Sequence, residues 1–240
     1  GTLFQGSRKP LRLWFNVIWE VVVPKTGASA NNLKAAMGFG SYQTVWTWLH
    51  KLRRAMVRPG RDRLIGEVEV DETYVGGVEK GKNTKGRGAI SKVLVVVATE
   101  CLGKRLGRVR FRCINQSSEN ELIHFIDDSV ESGSIIITDG WKGYKNVGLK
   151  GYQHKKRVIS GSGKEAHELL PHVHLVDALL KKWLNGTHQG RISKKYLPYY
   201  LDEYSFRFNR RLSEYRGKLF YRLIQQSLQV TPTTRNMLVV

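Results

Sequence analysis

Two aspartates of the sequence occupy positions at which a carboxylate side chain could bind a ligand or take part in catalysis. Asp139 directly follows the apolar run Ile135–Thr138 and precedes a glycine, so it would lie at the carboxyl end of a buried strand. Ligands bind at the carboxyl ends of strands in open α/β sheets, which makes Asp139 a candidate functional residue. Because aspartate is also a common helix cap and turn residue, a purely structural role for Asp139 is the alternative.

The second aspartate belongs to residues 64–75, where apolar and acidic residues alternate with a period of two. A strand with this pattern carries Glu67, Glu69, Asp71 and Thr73 on one face. Three acids on one face are costly unless positive groups meet them, and either arginines or metal ions would serve. The alternative is an edge strand whose polar face is solvated.

Neighbouring carboxylates suit divalent cations, because the cations relieve the repulsion between the carboxylates. Oxygen ligands favour Mg²⁺ or Mn²⁺, and two such ions about 3.5–4 Å apart stabilise the attacking and leaving oxygens of a phosphoryl transfer. If Asp71 and Asp139 meet in the fold, the sequence therefore predicts metal-dependent chemistry on a phosphate ester.

The composition indicates a polyanionic partner. The 240 residues include 40 Lys and Arg against 20 Asp and Glu, which gives a formal net charge of +20, typical of nucleic-acid binding. No run of about 18 apolar residues is present to span a membrane. The basic residues do not gather on one amphipathic helix, so an anionic membrane surface is the weaker alternative. Cys101 and Cys113 form no ligand cluster and fit a reducing compartment.

The first 60 residues are predicted to form helices. Residues 11–23 have helical periodicity, and they are followed by a helix capped by Ser29, a glycine turn at 38–40 and a helix capped by Ser41. This order is typical of a helix-turn-helix, whose second helix enters the DNA major groove. The alternative is a plain helical hairpin whose basic end is solvated. The basic residues expected at DNA are His50, Lys51, Arg53 and Arg54.

After residue 60 the pattern changes to strands. They are predicted to form an antiparallel meander, followed by a helix that starts at Ser118 and by one more buried strand. This order predicts an α/β, ribonuclease H-like mixed five-stranded sheet flanked by helices, in which Asp71 faces Asp139. The predicted strands lie at 64–75, 93–100, 105–114 and 135–138.

Three regions are therefore expected. Residues 1–60 would form an N-terminal all-α helix-turn-helix region, and residues 61–190 the ribonuclease H-like catalytic domain. Residues 191–240 would form a C-terminal helical tail that packs on the core. In this tail Tyr200, Leu201, Tyr204 and Phe208 share one helix face and are predicted to be buried, while Asp202 and Glu203 are predicted to pair with Arg207, Arg210 or Arg211.

Three separated motifs resemble the DDE transposases of bacterial insertion sequences. They are VEVDETYVGG at 68–77, TDGWKGY at 138–144 and GTHQGRISKKYLPYYLDEYSFRFNRR at 186–211, in the family's order. The resemblance covers about residues 27–212. It implies a ribonuclease H-like core that uses two Mg²⁺ or Mn²⁺ ions to cut double-stranded DNA at transposon ends and to join the freed 3′-hydroxyl to target DNA. It also implies a homo-oligomer on paired ends, with Asp71 and Asp139 as the first two metal ligands.

The third ligand departs from the family pattern. The resemblance is closest to the branch whose third ligand varies and is followed two helical turns later by a lysine, and these positions fall on His174 and Lys181. Imidazole suits Mn²⁺ better than Mg²⁺, so His174 should shift the metal preference. Asp177, one turn further on, is the alternative third ligand, while His172 would point elsewhere. A histidine that merely packs on the sheet is the structural alternative for His174.

Further cations are expected to bind the DNA backbone. Lys181 would contact a phosphate near the scissile bond, and the alternative is that it is one more solvated lysine beside Lys182. Trp141 and Tyr144 would either stack on an unpaired base or close the core over the strand, and the core is the favoured interpretation. The other basic residues expected at DNA are Lys85, Arg87, Lys155, Lys156, Arg157, Lys182, Arg210 and Arg211.

The function predicted from the sequence is that of a DNA-cleaving and strand-joining transposase in the bacterial cytoplasm, associated with the nucleoid. Two alternatives remain: a DNA-binding remnant without activity, since the third ligand is not acidic, and a structure-selective nuclease that never joins strands. The chain begins at Gly1 rather than at a methionine, as a fragment would.

Overall fold

The computed structural model describes residues 1–58, 60–76, 92–158, 163, 165–188 and 192–239. The chain forms two compact units. The first consists of Gly1–Arg61, Gly186–His188 and Asp202–Val240, and the second of Asp62–Asn185 and Gln189–Leu201. Residues 202–240 therefore join the N-terminal helices in one unit instead of forming a third region. The α-helices are α1 (Leu11–Val22), α2 (Ala30–Ala36), α3 (Tyr42–Ala55), α4 (Glu119–Ser129), α5 (Ala166–Leu169), α6 (Pro171–His188), α7 (Leu197–Phe208), α8 (Arg216–Gln229) and α9 (Arg235–Val239).

The second unit is built on a mixed five-stranded sheet with the order β3-β2-β1-β4-β5. β1, β2 and β3 form the predicted antiparallel meander, whereas β4 runs parallel to β1 and β5 runs parallel to β4. This arrangement confirms the predicted ribonuclease H-like fold, in which the first and fourth strands are neighbours. The strands are β1 (Glu67–Val75), β2 (Val93–Leu102), β3 (Arg105–Ile114), β4 (Ile135–Thr138) and β5 (Gln153–Lys156).

The two faces of β1 differ as the alternating sequence predicts. Val68 and Val70 are fully buried in a core that α4 covers with Leu122, Phe125 and Ile126. Ser118 caps α4, since its side chain accepts a hydrogen bond from the Glu121 N–H. The opposite face of β1 carries the acids, and α6 supplies residues that contact them.

The helices of the first unit enclose an aromatic core. Trp14 of α1 stacks on Trp48 of α3 with ring centroids 3.5 Å apart, and Leu219 and Leu223 of α8 belong to the same cluster. Ser29 caps α2 as predicted by accepting from the Asn32 N–H, whereas the Ser41 side chain makes no capping hydrogen bond to α3.

A buried ion cluster lies in this first unit. Glu203 is 1% exposed and contacts Arg53 and Arg207 at 2.8 Å each, and the partnership of Glu203 with Arg207 is the one that the sequence predicted. The Arg207 and Arg53 guanidiniums outweigh the effect of burial and lower the pKa of Glu203 to about 2. Burial, followed by the charge of Arg53, lowers the pKa of His50 to about 3 and that of His188 to about 4.

Two predicted DNA contacts are therefore wrong. His50 is 0% exposed and Arg53 is 2% exposed, so neither residue offers its charge to a ligand at the surface. The local sequence suggested an exposed basic end of a helix, but Arg53 turns inward because the buried Glu203 carboxylate needs a cation. In the part of the chain that the structure describes, no helix combines the length and apolarity that crossing a membrane would require.

Candidate active site

The register of β1 and β4 brings the two predicted acids together. Glu69 pairs with Ile137 in the parallel ladder, so Asp71 and Asp139 occupy equivalent positions two residues further along adjacent strands. Adjacent strands lie about 4.8 Å apart, and side chains at equivalent positions point to the same face. Burial is the main cause of the raised pKa of Asp71, and the nearby charge of Asp139 adds to the rise.

Helix α6 is attached to the acidic face of β1 by Glu69. One Glu69 oxygen accepts the backbone N–H groups of His172 and Val173 at 2.8 and 2.9 Å, and the other lies 2.9 Å from His172 Nδ1. The His172 Nε2 atom lies 2.9 Å from the Gly103 carbonyl oxygen in the β2–β3 turn. Glu69 thus caps the first turn of α6 from a neighbouring strand.

The ligand atoms of Glu69, Cys101 and His172 lie within 4.8 Å of one another, as in a metal site. However, both Glu69 oxygens and both His172 nitrogens already have hydrogen-bond partners. Burial and the nearby Glu69 charge also raise the pKa of the Cys101 thiol to about 12, which disfavours the thiolate that binds metals. We interpret this cluster as a structural feature that attaches α6 to β1, and not as a metal site.

One turn further along α6, a cavity of about 70 Å³ opens over Asp71. His174 Nε2 lies 3.7 Å from Asp71 Oδ2, and Lys181 Nζ donates to Asp177 Oδ2 at 2.8 Å and to Thr73 Oγ1 at 2.7 Å. Both candidate third ligands therefore face the cavity. Its lining residues are Asp71, Glu72, Thr73, Val97, Val173, His174 and Asp177.

The carboxylates of this site repel one another. Burial raises the pKa of Asp71 to about 6, and the charges of Asp139 and Asp177 act in the same direction, against the lowering effect of His174. Burial, with the charge of Asp71, raises the pKa of Glu72 to about 7. Glu72 was not predicted as a site residue, because the alternation along β1 places its side chain on the face opposite that of Asp71.

Two buried carboxylate oxygens near Asp71 lack hydrogen-bonding partners among the described residues: Asp177 Oδ1 and Glu72 Oε1. Tyr144 approaches Glu72 closely enough to offset part of the rise in its pKa, but the pair does not have good hydrogen-bonding geometry. Unpaired buried oxygens beside crowded carboxylates are what a divalent cation would satisfy. The donor set therefore fits a hard metal ion.

The two aromatic residues after Asp139 have different environments. Tyr144 is 0% exposed and belongs to the core, as predicted. Trp141 was predicted to be buried as well, but it is 45% exposed, so that prediction is wrong. Its backbone N–H donates to Asp139 Oδ1 at 2.8 Å, which helps to fix the orientation of this carboxylate.

The cations predicted to bind DNA differ in their exposure to solvent and in their hydrogen-bonding partners. Lys155 pairs with Glu67 at 2.7 Å, Lys156 and Lys182 are exposed, and Arg157 is exposed and donates to the Leu169 carbonyl oxygen. Four other cations are partly buried, namely Lys51, Arg54, Arg210 and Arg211. Lys85 and Arg87 lie outside the described residues.

Residues 63–209 match the ISXO2-like transposase domain family. Comparison with curated protein sequences finds no match. Among solved structures, an intasome of simian T-cell lymphotropic virus in complex with the PP2A regulatory subunit B56 gamma matches with 16% identity, coverage of 86% of this chain and 78% of that chain, and a TM-score of 0.41. A Mos1 transposase paired-end complex matches with 12% identity, coverage of 93% and 81%, and a TM-score of 0.38.

Proposed function

Because the chain belongs to the ISXO2-like transposase domain family, we propose that it cuts DNA at the ends of an insertion sequence and joins the freed 3′-hydroxyl to target DNA. Family membership implies a divalent metal. The observation that carries the proposal is the small cavity that Asp71, His174 and Asp177 line, with Asp139 at the position equivalent to Asp71 beside it on the neighbouring strand.

Asp71 and Asp139 would hold Mg²⁺ or Mn²⁺ ions, two in the complete site, and His174 would be the third ligand. Asp177 holds Lys181 in place through Oδ2, while its Oδ1 atom is buried without a hydrogen-bonding partner among the described residues, which leaves it available to the same site. The bound ions would stabilise charge on the attacking and leaving oxygens of the phosphoryl transfer.

The remaining residues bind and orient DNA. The Lys181 ammonium donates hydrogen bonds to Thr73 and Asp177, which line the cavity. It would contact a phosphate near the scissile bond. Exposed Lys156, Arg157 and Lys182 would bind the backbone on either side without reading sequence. Lys155 would join them by exchanging its Glu67 contact for a phosphate.

In the first unit, α2, the turn at 38–40 and α3 would act as the helix-turn-helix. Lys51 and Arg54 of α3, together with Arg210 and Arg211, are its cations for the DNA backbone. Copies of the protein would assemble as a homo-oligomer on paired transposon ends in the cytoplasm.

Cleavage of labelled DNA tests the proposal. The substrate carries the terminal repeats that flank the protein's gene, and the reaction contains Mg²⁺ or Mn²⁺. Asp71→Ala and Asp139→Ala should abolish both cut and joined products, while DNA binding is retained or becomes tighter because negative charge leaves the phosphate site. Asp128→Ala is the matched control, since Asp128 is an exposed acid that pairs with Arg112.

Three outcomes separate the candidate functions. Cut and joined products from the wild type support a transposase, and cut products alone would indicate a nuclease of the same fold. Binding without any product would indicate an inactive remnant. Wild-type rates in either aspartate variant would show that the assigned site is wrong.

A further inference from the structure

Trp141 is exposed beside the candidate active site although it directly follows a buried strand. It lies two residues after Asp139, and its side chain remains 45% accessible. Large apolar side chains are usually buried when the fold allows it. Here Tyr144, three residues later, is fully buried, so the same turn places one aromatic residue inside and leaves the other outside.

The indole of Trp141 is held in place from its edge. Its Nε1–H donates to the Ser117 carbonyl oxygen at 3.1 Å. Gly143 lies beside the ring, and a Cβ atom at residue 143 would come within 3.0 Å of Trp141 Cδ1 and 2.8 Å of Leu122 Cδ1. A glycine at this position therefore leaves room for the ring in its present orientation.

The surroundings of the exposed ring are cationic. Lys142 is exposed, and its Nζ atom lies 5.4 Å from the centroid of the Trp141 ring. Lys145 is exposed on the same turn. A single aromatic ring among lysines does not resemble an apolar protein-docking patch, which is broader and poorer in charge. An aromatic face flanked by cations is instead the arrangement that proteins use to bind unpaired nucleotides.

We propose that Trp141 is a stacking platform for an unpaired nucleobase of the DNA strand that enters the acid cluster, and that Lys142 binds the phosphate next to this base. The proposal rests on the proposed function. Two residues span at most about 7 Å, so a base on Trp141 belongs to a nucleotide next to the phosphate that enters the acid cluster. When the base stacks, Lys142 moves from the indole to that phosphate.

Two variants of Trp141 separate stacking from a structural role. Trp141→Phe keeps an aromatic face but loses the N–H donor to Ser117, whereas Trp141→Gln keeps a donor and loses the ring. Stacking requires that the Phe variant resemble the wild type and that the Gln variant cut transposon-end DNA about tenfold more slowly, the effect expected for one lost base stack. If the Ser117 hydrogen bond is what matters, the order of the two variants is reversed.

A fluorescent base reports the stacking directly. The adenine analogue 2-aminopurine is placed at the nucleotide on each side of the cleavage site, and Ca²⁺ replaces Mg²⁺ so that the DNA stays uncut. The wild type and Trp141→Phe should quench its emission at one of these positions, and Trp141→Gln should not. Trp19→Gln is the matched control, because Trp19 is 44% exposed but lies on α1 of the other unit, and it should quench like the wild type.

The two proposals fail in different ways. If the wild type does not cut DNA but still quenches a single-stranded 2-aminopurine oligonucleotide in a manner that depends on the ring at residue 141, the platform stands and the proposed function falls. If Trp141→Gln quenches and cuts like the wild type, the platform is overturned. Unchanged melting temperatures in both variants would exclude misfolding as the cause of any loss.

Discussion

His174 is the residue at which this chain departs most from an acidic metal site. Its imidazole lies 3.7 Å from Asp71 on the cavity that Asp177 also lines. A neutral nitrogen ligand holds Mg²⁺ less well than an oxygen ligand does, and it suits Mn²⁺ better. If His174 is a metal ligand, the identity of this single side chain should set the metal preference of the reaction.

We expect His174→Glu to raise the rate of DNA cleavage in Mg²⁺ relative to the rate in Mn²⁺, by about tenfold for each 1.4 kcal/mol of improved binding. The measurement is the ratio of the two rates for each variant. His124→Asn, a change at an exposed histidine on α4, should leave the ratio unchanged. An unchanged ratio in His174→Glu, together with loss of metal binding in Asp177→Asn, would assign the third ligand to Asp177.

At the scale of elements, the register of α6 on β1 determines which side chains reach Asp71. Glu69 sets this register, because its buried carboxylate accepts the first N–H groups of the helix. With α6 held in this register, His174 and Asp177 line the same cavity as Asp71 of β1. A residue that the sequence suggested as a possible metal contact is thus a positioning residue.

Replacing Glu69 by Ala should destabilise the second unit by about 3 kcal/mol, because it leaves buried donors on His172 and Val173 without an acceptor. Glu67→Ala is the matched control, since Glu67 occupies the same face of β1 but is 44% exposed with its partner Lys155. That change should cost less than about 1 kcal/mol. Denaturant unfolding measures both variants.

A second measurement on the same variants tests the positioning role of Glu69. Glu69→Ala should also weaken Mn²⁺ binding at temperatures where the variant is folded, whereas Glu67→Ala should not. Equal losses of stability in the two variants, or normal Mn²⁺ affinity in folded Glu69→Ala, would contradict this role.

At the scale of the whole molecule, charged groups at the surface and charged groups in the interior have different consequences. The formal charge of +20 is available to a polyanion, while the first unit buries Arg53, Glu203 and Arg207 together with two neutral histidines. The surface charges should therefore control DNA affinity, and the buried groups should control the stability of the fold against acid.

Acid should destabilise the first unit. The pKa values of His50 and His188 in the folded protein are about 3 and about 4, below their ordinary value of 6.5, so the unfolded chain binds more protons between these limits. Stability is therefore lost as the pH falls from 6.5 towards 4, and the lowered pKa of Glu203 extends this loss from 4.5 towards 2. We expect the melting temperature to fall on the order of 5–10 °C between pH 7 and pH 4.5.

Asp202 acts in the opposite direction, because burial raises its pKa to about 7, against the lowering effect of Arg61. Its contribution is greatest below pH 3.8 and is lost as the pH rises through 7. The Asp202→Asn variant should therefore be more stable than the wild type above pH 7. Its melting temperature should fall more steeply than that of the wild type as the pH is lowered. A melting temperature that stays constant down to pH 4.5 in this variant would contradict the neutral state of the buried histidines.

DNA binding should depend strongly on salt. Each phosphate contact contributes about −0.9 to the slope of log affinity against log salt concentration on duplex DNA. Lys156→Ala, which removes an exposed cation, should flatten the slope by about this amount. Arg112→Gln should have a smaller effect because Arg112 already pairs with Asp128. An unchanged slope in Lys156→Ala would exclude Lys156 from the DNA-binding surface.

Local patterns in the sequence were sufficient for the outline of the fold. Alternating residues at 64–75 and the apolar run at 135–138 identified the two strands that carry Asp71 and Asp139, and the motifs identified the family. Five strands were predicted but the location of β5 was not, because its residues QHKK have no apolar pattern and form a strand through pairing with β4. A strand that owes its structure to a neighbour leaves little local signal.

Sequence alone thus determined the first four strands, the excess of positive charge and the two aspartates Asp71 and Asp139 in or directly after those strands, since periodicity, composition and motif are local properties. Only the tertiary structure decided which charges turn inward and which ring stays outside. Arg53 is buried in an ion pair with Glu203, which lies 150 positions later in the chain. Glu69 accepts a hydrogen bond from the first turn of a helix 103 positions later. The physical reason is that burial of a charge depends on a partner brought near by the fold, and no local window of sequence contains that partner.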